Sequence, residues 1–250
     1  MLRHVMQLHV YEWGDASAPP LICLHGVTAF GARFTQLAEE RWAHRFHVLA
    51  PDLRGHGYSG WEAPWTFETY VDDLVETFGG VGPATWLGHS FGGRLVLELA
   101  HRCPELVERA VLLDPAIHVL PHVAAAAAEL ERADAVFDSV EAYVDSRPDS
   151  GDMDRDRAIR DMTLHLEPLP DGRVRRRNSQ AAAVSIYGEL ATEPPPPPAV
   201  PTLLLYAPDY GLVRDEHVAQ YEHVVRVPGL HMVMWSAFDE TADAVDAFLR

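Results

Sequence analysis

The stretch Gly88-His89-Ser90-Phe91-Gly92 stands between an apolar run at residues 84–87 and a helix-like stretch at residues 94–101. The apolar run predicts a buried strand, and Pro104 fits the end of the helix. A strand that turns this sharply into a helix strains the serine backbone, and only glycine avoids clashes at the flanking positions. Such a turn lifts Ser90 off the sheet as a candidate nucleophile. The alternative is a glycine-rich helix start that Ser90 merely caps.

The segments around this turn alternate between strand-like and helix-like patterns. Predicted strands cover residues 21–24, 46–50, 84–87, 110–113, 201–206 and 221–227, and predicted helices cover residues 33–45, 66–78, 94–101 and 238–249. Strands that alternate with helices of this length predict right-handed βαβ units. The fold class is therefore α/β, with a doubly wound, mostly parallel sheet.

This alternation stops after the strand that ends at Asp114. Residues 118–192 show no clear strand pattern, and residues 123–144 predict one or two helices. A polyproline run at residues 194–198 predicts a stiff return to the sheet. We therefore expect a core built from residues 1–115 and 201–250, with a small, mainly helical cap or lid at residues 116–200.

Two loops could complete a catalytic site beside Ser90. His25-Gly26-Val27 follows the first predicted strand, where the amide of Val27 could form an oxyanion hole together with the amide of Phe91. Val227-Pro228-Gly229-Leu230-His231 places a histidine between the last strand and the last helix, where a base can reach a nucleophile from a different strand end. The chain has 14 histidines, and His231 stands out only by this position.

Composition limits the classes of partner. The formal net charge is -17, and every residue counted as Lys or Arg is an arginine. Binding of nucleic acid or of an anionic membrane needs basic faces, so we expect neither. The one basic run, at residues 173–177, is interpreted as a solvated turn. Cys23 and Cys103 form neither a disulfide framework nor a metal-ligand spacing, and no leader or long apolar run is evident, so a cytoplasmic protein is expected.

These motifs together resemble the α/β-hydrolase superfamily. The resemblance covers residues 21–115 and 201–249 and is carried by His25-Gly26, by residues 51–57 (Pro-Asp-Leu-Arg-Gly-His-Gly), by residues 88–93 and by residues 228–231. In residues 51–57 the charges are interpreted as fixing a loop. The resemblance implies a serine nucleophile with no metal and no organic cofactor. Serine at position 90 argues against dehalogenases and epoxide hydrolases, and the absence of lysine argues against hydroxynitrile lyases.

Within this family the catalytic acid has two candidate positions. The resemblance implies either Asp114, at the end of the strand at residues 110–113, or an aspartate after the strand at residues 201–206. In the second place Asp209 falls one residue before the usual position, and Tyr210 occupies that position. We favour Asp114 for this reason and keep Asp209 as the alternative.

The expected function is hydrolysis of a small-molecule acyl substrate through an acyl-enzyme. A carboxylic ester is the first candidate, and a lactone, thioester or amide is also compatible with the same groups. A second class is a small-molecule receptor on the same fold that turns its ligand over slowly or not at all. A perhydrolase or peptidase that uses the same triad is a third.

Overall fold

A computed structural model describes residues 5–133, 136–146 and 155–250. Residues 1–4, at the start of the expected core, and residues 134–135, inside the predicted helical stretch 123–144, lie outside the described residues. The strands of the described ranges are β1 (Val10–Trp13), β2 (Pro20–Leu24), β3 (His47–Pro51), β4 (Ala84–His89), β5 (Val107–Leu113), β6 (Val136–Phe137), β7 (Leu166–Pro168), β8 (Val174–Arg176), β9 (Thr202–Tyr206) and β10 (His223–Arg226).

The helices of the same ranges follow in chain order. They are α1 (Thr35–Leu37), α2 (Phe67–Phe78), α3 (Phe91–Arg102), α4 (Pro121–Glu131), α5 (Val140–Asp145), α6 (Arg155–His165), α7 (Gln180–Leu190), α8 (Asp215–Val218), α9 (Val233–Ser236) and α10 (Phe238–Phe248).

The large sheet has the strand order β1-β3-β2-β4-β5-β9-β10. Every neighbouring pair is parallel except β1 with β3, which is antiparallel. The predicted doubly wound, mostly parallel sheet is thus confirmed. Its carboxyl ends bring the loops after β2, β4, β5, β9 and β10 to one edge of the sheet, where ligands bind in open α/β sheets.

Two apolar layers cover the faces of this sheet. On one face α2 and α3 bury Tyr70, Leu74 and Phe91 against Trp86 of β4. The opposite face is covered by residues 31–42, α9 and α10, which contribute side chains such as Trp42. Full burial of each large apolar side chain contributes about 1.5–3 kcal/mol relative to exposure, so the site loops rest on a rigid support.

The predicted helix at residues 33–45 differs in detail. A 3-10 turn at Gly31–Phe34 leads into the short α1, and a π turn at Ala38–Trp42 ends the helical stretch. The start of this segment is held by a carboxylate, because the amide of Gly31 donates to Asp52 Oδ1 at 2.8 Å.

The loop after β3 is fixed by two buried acidic groups. Asp52 accepts the amides of Gly31 and Tyr58 at 2.8 and 2.9 Å, and burial raises the pKa of its carboxyl. Arg54 donates from Nε and Nη2 to the two oxygens of Asp73 at 2.7 and 2.8 Å, and both side chains are buried. These contacts fit the interpretation of the charges as loop-fixing.

Residues 116–200, which we call the insertion, contain strands that the sequence patterns did not predict. Besides α4 to α7, the short strands β6, β8 and β7 form an antiparallel three-stranded sheet. The expectation of no strand between residues 118 and 192 was therefore wrong. Strands of two or three residues are too short to show a periodic pattern, so nothing in the local sequence marks them.

The interpretation of residues 173–177 as a solvated turn was also wrong in part. Arg173 and Arg175 are exposed, but Arg176 is buried on β8 and its Nη2 lies 2.6 Å from Glu131 Oε2 of α4. A buried guanidinium needs a charged partner, and this one is supplied by a residue 45 positions away. The local sequence around residues 173–177 therefore does not indicate the contact between Arg176 and Glu131.

Candidate active site

Ser90 lies at the turn from β4 into α3, in a conformation that few residues adopt. Its φ of 55° and ψ of -117° lie outside the ordinary regions for a side chain with a Cβ. The turn depends on its glycines, because a Cβ at Gly92 would overlap the Leu24 carbonyl oxygen and one at Gly88 would overlap that of Gly92. Ser90 is 8% exposed. Such strain is a feature of catalytic turns.

The two predicted oxyanion donors come from two different loops at this edge of the sheet. Phe91 is the first residue of α3, and the amides of a first helical turn have no acceptor inside the helix. Its ring points into the core against Phe67 and Tyr70, so only its backbone is available to a ligand. Val27 follows β2 and lines the same cavity as Ser90. Partial positive charge at a helix start favours developing negative charge.

His231 and Asp114 meet at the ends of β10 and β5. The Nδ1 atom of His231 lies 2.6 Å from Asp114 Oδ2, and Asp114 is fully buried. The second carboxylate oxygen of Asp114 accepts the amide of Ala207 at 3.2 Å. With an ionised Asp114, the imidazole carries its proton on Nδ1, which leaves Nε2 as an acceptor. Asp114 itself has a φ of 39°, a second strained residue at this edge.

The alternative candidate for the acid, Asp209, lies in the loop after β9. Asp209 sits in the 3-10 turn Pro208–Tyr210 after β9, and its side chain is exposed. The position where an acid was expected is held by Tyr210, whose ring stacks on the His231 imidazole. The hydrogen-bond partner of the His231 imidazole is therefore Asp114, and its role as the catalytic acid stays a prediction.

Two further histidines make hydrogen bonds that fix the loops of the site. His89 Nε2 donates to the backbone carbonyl of His231 at 2.9 Å, and this hydrogen bond connects the turn at Ser90 to the loop that carries His231. His25 Nε2 accepts the amide of Leu53 at 2.9 Å, and its Nδ1 donates to the Gly26 carbonyl at 2.8 Å. Burial lowers the pKa of both rings well below the ordinary value, so both are neutral. The sequence patterns did not reveal the role of His89.

Ser90, His231 and Val27 line one cavity of about 250 Å³. The insertion supplies much of the opposite wall, and most of that wall is apolar or aromatic: Val119, Val123, Ala127, Tyr143, Val144, Ala158, Met162, Tyr187 and Leu190. The strand-end loops and the insertion thus enclose a site that suits a largely apolar ligand.

One charged side chain from the core also reaches this cavity. Arg33 is largely buried, its Nε lies 3.0 Å from Asp161 Oδ2 of α6, and its guanidinium lies 4.2 Å from the Trp235 ring centroid. The pair connects the core to the insertion. The two residues are 128 positions apart, so no local sequence pattern indicates this ion pair.

Two kinds of feature are absent from the residues that the structure describes. Within them, no group of three or more His, Cys, Asp or Glu side chains is arranged to hold a metal ion. Within the same ranges, no helix is both long enough and apolar enough to cross a bilayer.

Comparison with known proteins adds independent information on this chain. The model of the alpha/beta hydrolase family matches residues 21–244. Lipase LipV of Mycobacterium tuberculosis (strain ATCC 25618 / H37Rv) is 34% identical over 205 residues, which cover 78% of this chain and 75% of that protein.

Solved structures are similar over nearly the whole chain. The crystal structure of E-2-(acetamidomethylene)succinate hydrolase has a TM-score of 0.85 and 25% identity, and the match covers 97% of this chain and 94% of that one. The thioesterase domain from the curacin biosynthetic pathway has a TM-score of 0.76 and 20% identity, with 96% and 94% covered. The second similarity concerns the fold alone.

Proposed function

The chain belongs to the alpha/beta hydrolase family, and from that premise we propose that it is a serine hydrolase that cleaves a carboxylic ester, or a related acyl substrate, through an acyl-enzyme. One observation carries the proposal. His231, held by a 2.6 Å hydrogen bond to Asp114, lines the same cavity as the strained Ser90. A buried carboxylate that orients a histidine beside an activated serine is the arrangement that acyl transfer needs.

In the proposed reaction, Ser90 Oγ attacks the substrate carbonyl carbon and its proton passes to His231 Nε2. The amides of Val27 and Phe91 donate hydrogen bonds to the oxygen that becomes negative. Asp114 stabilises the imidazolium and keeps the proton on Nδ1. The bond to the leaving group then breaks, and His231 returns its proton to the leaving oxygen.

A water molecule completes the cycle. His231 takes one of its protons, the hydroxide oxygen attacks the acyl carbon, and Ser90 regains its proton as the acid leaves. These steps use side chains and amides only, with no metal or organic cofactor.

We propose that the insertion acts as a lid that selects the acyl group. Support comes from the largely apolar wall that it contributes opposite Ser90. The cavity, about 250 Å³, is slightly smaller than typical ligand pockets, which span roughly 300–1,000 Å³. A short to medium, uncharged acyl group fits this volume and lining better than a long chain.

The test is a panel of p-nitrophenyl esters of rising chain length, assayed with wild type, Ser90→Ala and His231→Ala. We expect a burst of p-nitrophenol followed by turnover, with the highest kcat/KM on short or medium esters. Each variant should lose most of the turnover, because the two groups act as one unit. Ser17→Ala and His44→Ala, at exposed positions, are the matched controls.

A fluorophosphonate probe adds a direct readout. Mass spectrometry should find the label on Ser90 in wild type and no label there in Ser90→Ala. Tight binding of esters without a burst would indicate a receptor, and turnover that survives in Ser90→Ala would refute the serine mechanism.

A further inference from the structure

Tyr210 makes a contact with the proposed base that the reaction scheme above does not use. Its ring centroid lies 4.6 Å from that of His231, and the two planes differ by only 12°. Tyr210 closes the 3-10 turn after β9, and Gly211 follows it in the left-handed conformation with a φ of 76°. Both rings line the cavity.

The other groups around the imidazole are of different kinds. Asp114, from the end of β5, holds Nδ1, and the ring of His89, from β4, lies 4.6 Å away at a tilt of 40°. Arg33 lines the same cavity, and Asp209 is exposed on the turn of Tyr210. His89 is neutral, so it contributes no charge to the imidazole.

The stacked arrangement matters because His231 changes charge during the proposed reaction. The face of an aromatic ring carries partial negative charge and attracts a cation placed over it. An interaction that strengthens as the imidazolium forms lowers the barrier instead of merely improving substrate binding. The same stacking blocks one face of the imidazole and limits its rotation away from Ser90.

We infer that Tyr210 is a positioning residue that stabilises the charged form of His231 through its ring face. The inference rests on the proposed function, because it assumes His231 as the base. It also gives a function to Tyr210, which has no carboxylate but occupies a position where related proteins commonly carry the catalytic acid. Because Tyr210 is 49% exposed, the effect is modest.

The experiment compares pH profiles of kcat and kcat/KM for wild type, Tyr210→Phe, Tyr210→Leu and Tyr210→Ala on the preferred ester. Tyr210→Phe keeps the ring and should follow wild type. Tyr210→Leu and Tyr210→Ala should each lower kcat about two- to fivefold, the effect expected of a partly exposed cation–ring contact. Their acid limb should move to lower pH by about half a unit, because the imidazolium has lost its partner.

The control is Tyr58→Ala, which removes a tyrosine of similar exposure, 58%, that contacts His9 and does not line the cavity. Its profile should match wild type. Three results would overturn the inference: unchanged profiles for Tyr210→Leu and Tyr210→Ala, a loss in Tyr210→Phe as large as in Tyr210→Ala, or an effect confined to KM. Turnover that persists in His231→Ala refutes the proposed function itself and is thereby distinguishable from these.

Discussion

The cavity has one wall from the sheet edge and another from the insertion, and the two walls carry different kinds of group. On the sheet side, backbone contacts and buried hydrogen bonds position Ser90, Asp114 and His231 within narrow limits. On the insertion side most lining residues are apolar, and ion pairs such as Arg33–Asp161 connect that wall to the core. Under the proposed function, the first wall determines the chemistry and the second wall determines the size of the acyl group that fits.

The largest effect is expected on the sheet side. Asp114→Asn should lower kcat by about 10³- to 10⁴-fold, because an amide favours the wrong imidazole tautomer while it preserves the shape of the site. Asp209→Asn, at an exposed position, is the control and should stay within about twofold. Steady-state kinetics on one ester compare the two, and the reverse ranking would move the acid to the loop after β9.

A second test replaces one glycine in each region by alanine and compares the effects on the free energy of unfolding. Gly92→Ala should lower the free energy of unfolding by about 3 kcal/mol or more, because the added Cβ overlaps the backbone of β2. In α7 of the insertion, an added Cβ at Gly188 has nothing within 4 Å, so Gly188→Ala should raise stability by about 0.5–1 kcal/mol. Urea unfolding measures both, and similar effects of the two changes would contradict the distinction.

The third prediction concerns the loss of stability at acidic pH. Burial lowers the pKa of His56 to about 4, and burial likewise lowers the pKa of His25, His89 and His165. The unfolded chain takes up these protons near pH 6.5 and the folded chain only at lower pH, so stability is full above pH 6.5 and falls toward pH 4. His56 alone should cost about 2 kcal/mol at pH 5.

Urea unfolding at pH 7.5 and pH 5 checks this loss. The variant His165→Phe tests the contribution of His165 to this loss. Both ring nitrogens of His165 lack a hydrogen-bond partner in the described structure, and its ring stacks on Phe30. We expect the variant to lose less stability between the two pH values than wild type. An equal loss would remove His165 from the explanation.

The smallest effect is expected on the insertion side. Val123→Phe adds bulk to the apolar wall at a half-exposed position of α4. It should lower kcat/KM about tenfold for the longest ester that wild type accepts and leave the acetyl ester within about twofold, since the sheet side is untouched. An equal loss on all esters would show that the two walls are not independent.

The same contrast explains what could be predicted from the sequence. The central strands and the serine turn follow from local patterns, since a buried strand, flanking glycines and a helix stand in one short stretch. The choice between Asp114 and Asp209 needed spatial information, because both aspartates follow a strand and either could reach a histidine at this edge.

Other features had no local signal at all. β1 is recognisable only by its pairing with β3, and the strands of the insertion are too short for a pattern. Arg176 contacts Glu131, and Tyr210 contacts His231, in each case across a stretch of chain longer than any local pattern. Such contacts depend on how the loops and the insertion pack, which periodicity does not describe.

The packing of Gly92 against the Leu24 carbonyl has a mechanical consequence for the site. Ser90 precedes this contact by two residues and Val27 follows Leu24 by three, so the two groups share one reference point in the backbone. If β2 shifts along its axis, both shift with it and their separation is preserved. Under the proposed function, the distance between Ser90 Oγ and the Val27 amide therefore depends on this backbone contact, and substitutions of side chains elsewhere in the core should change it little.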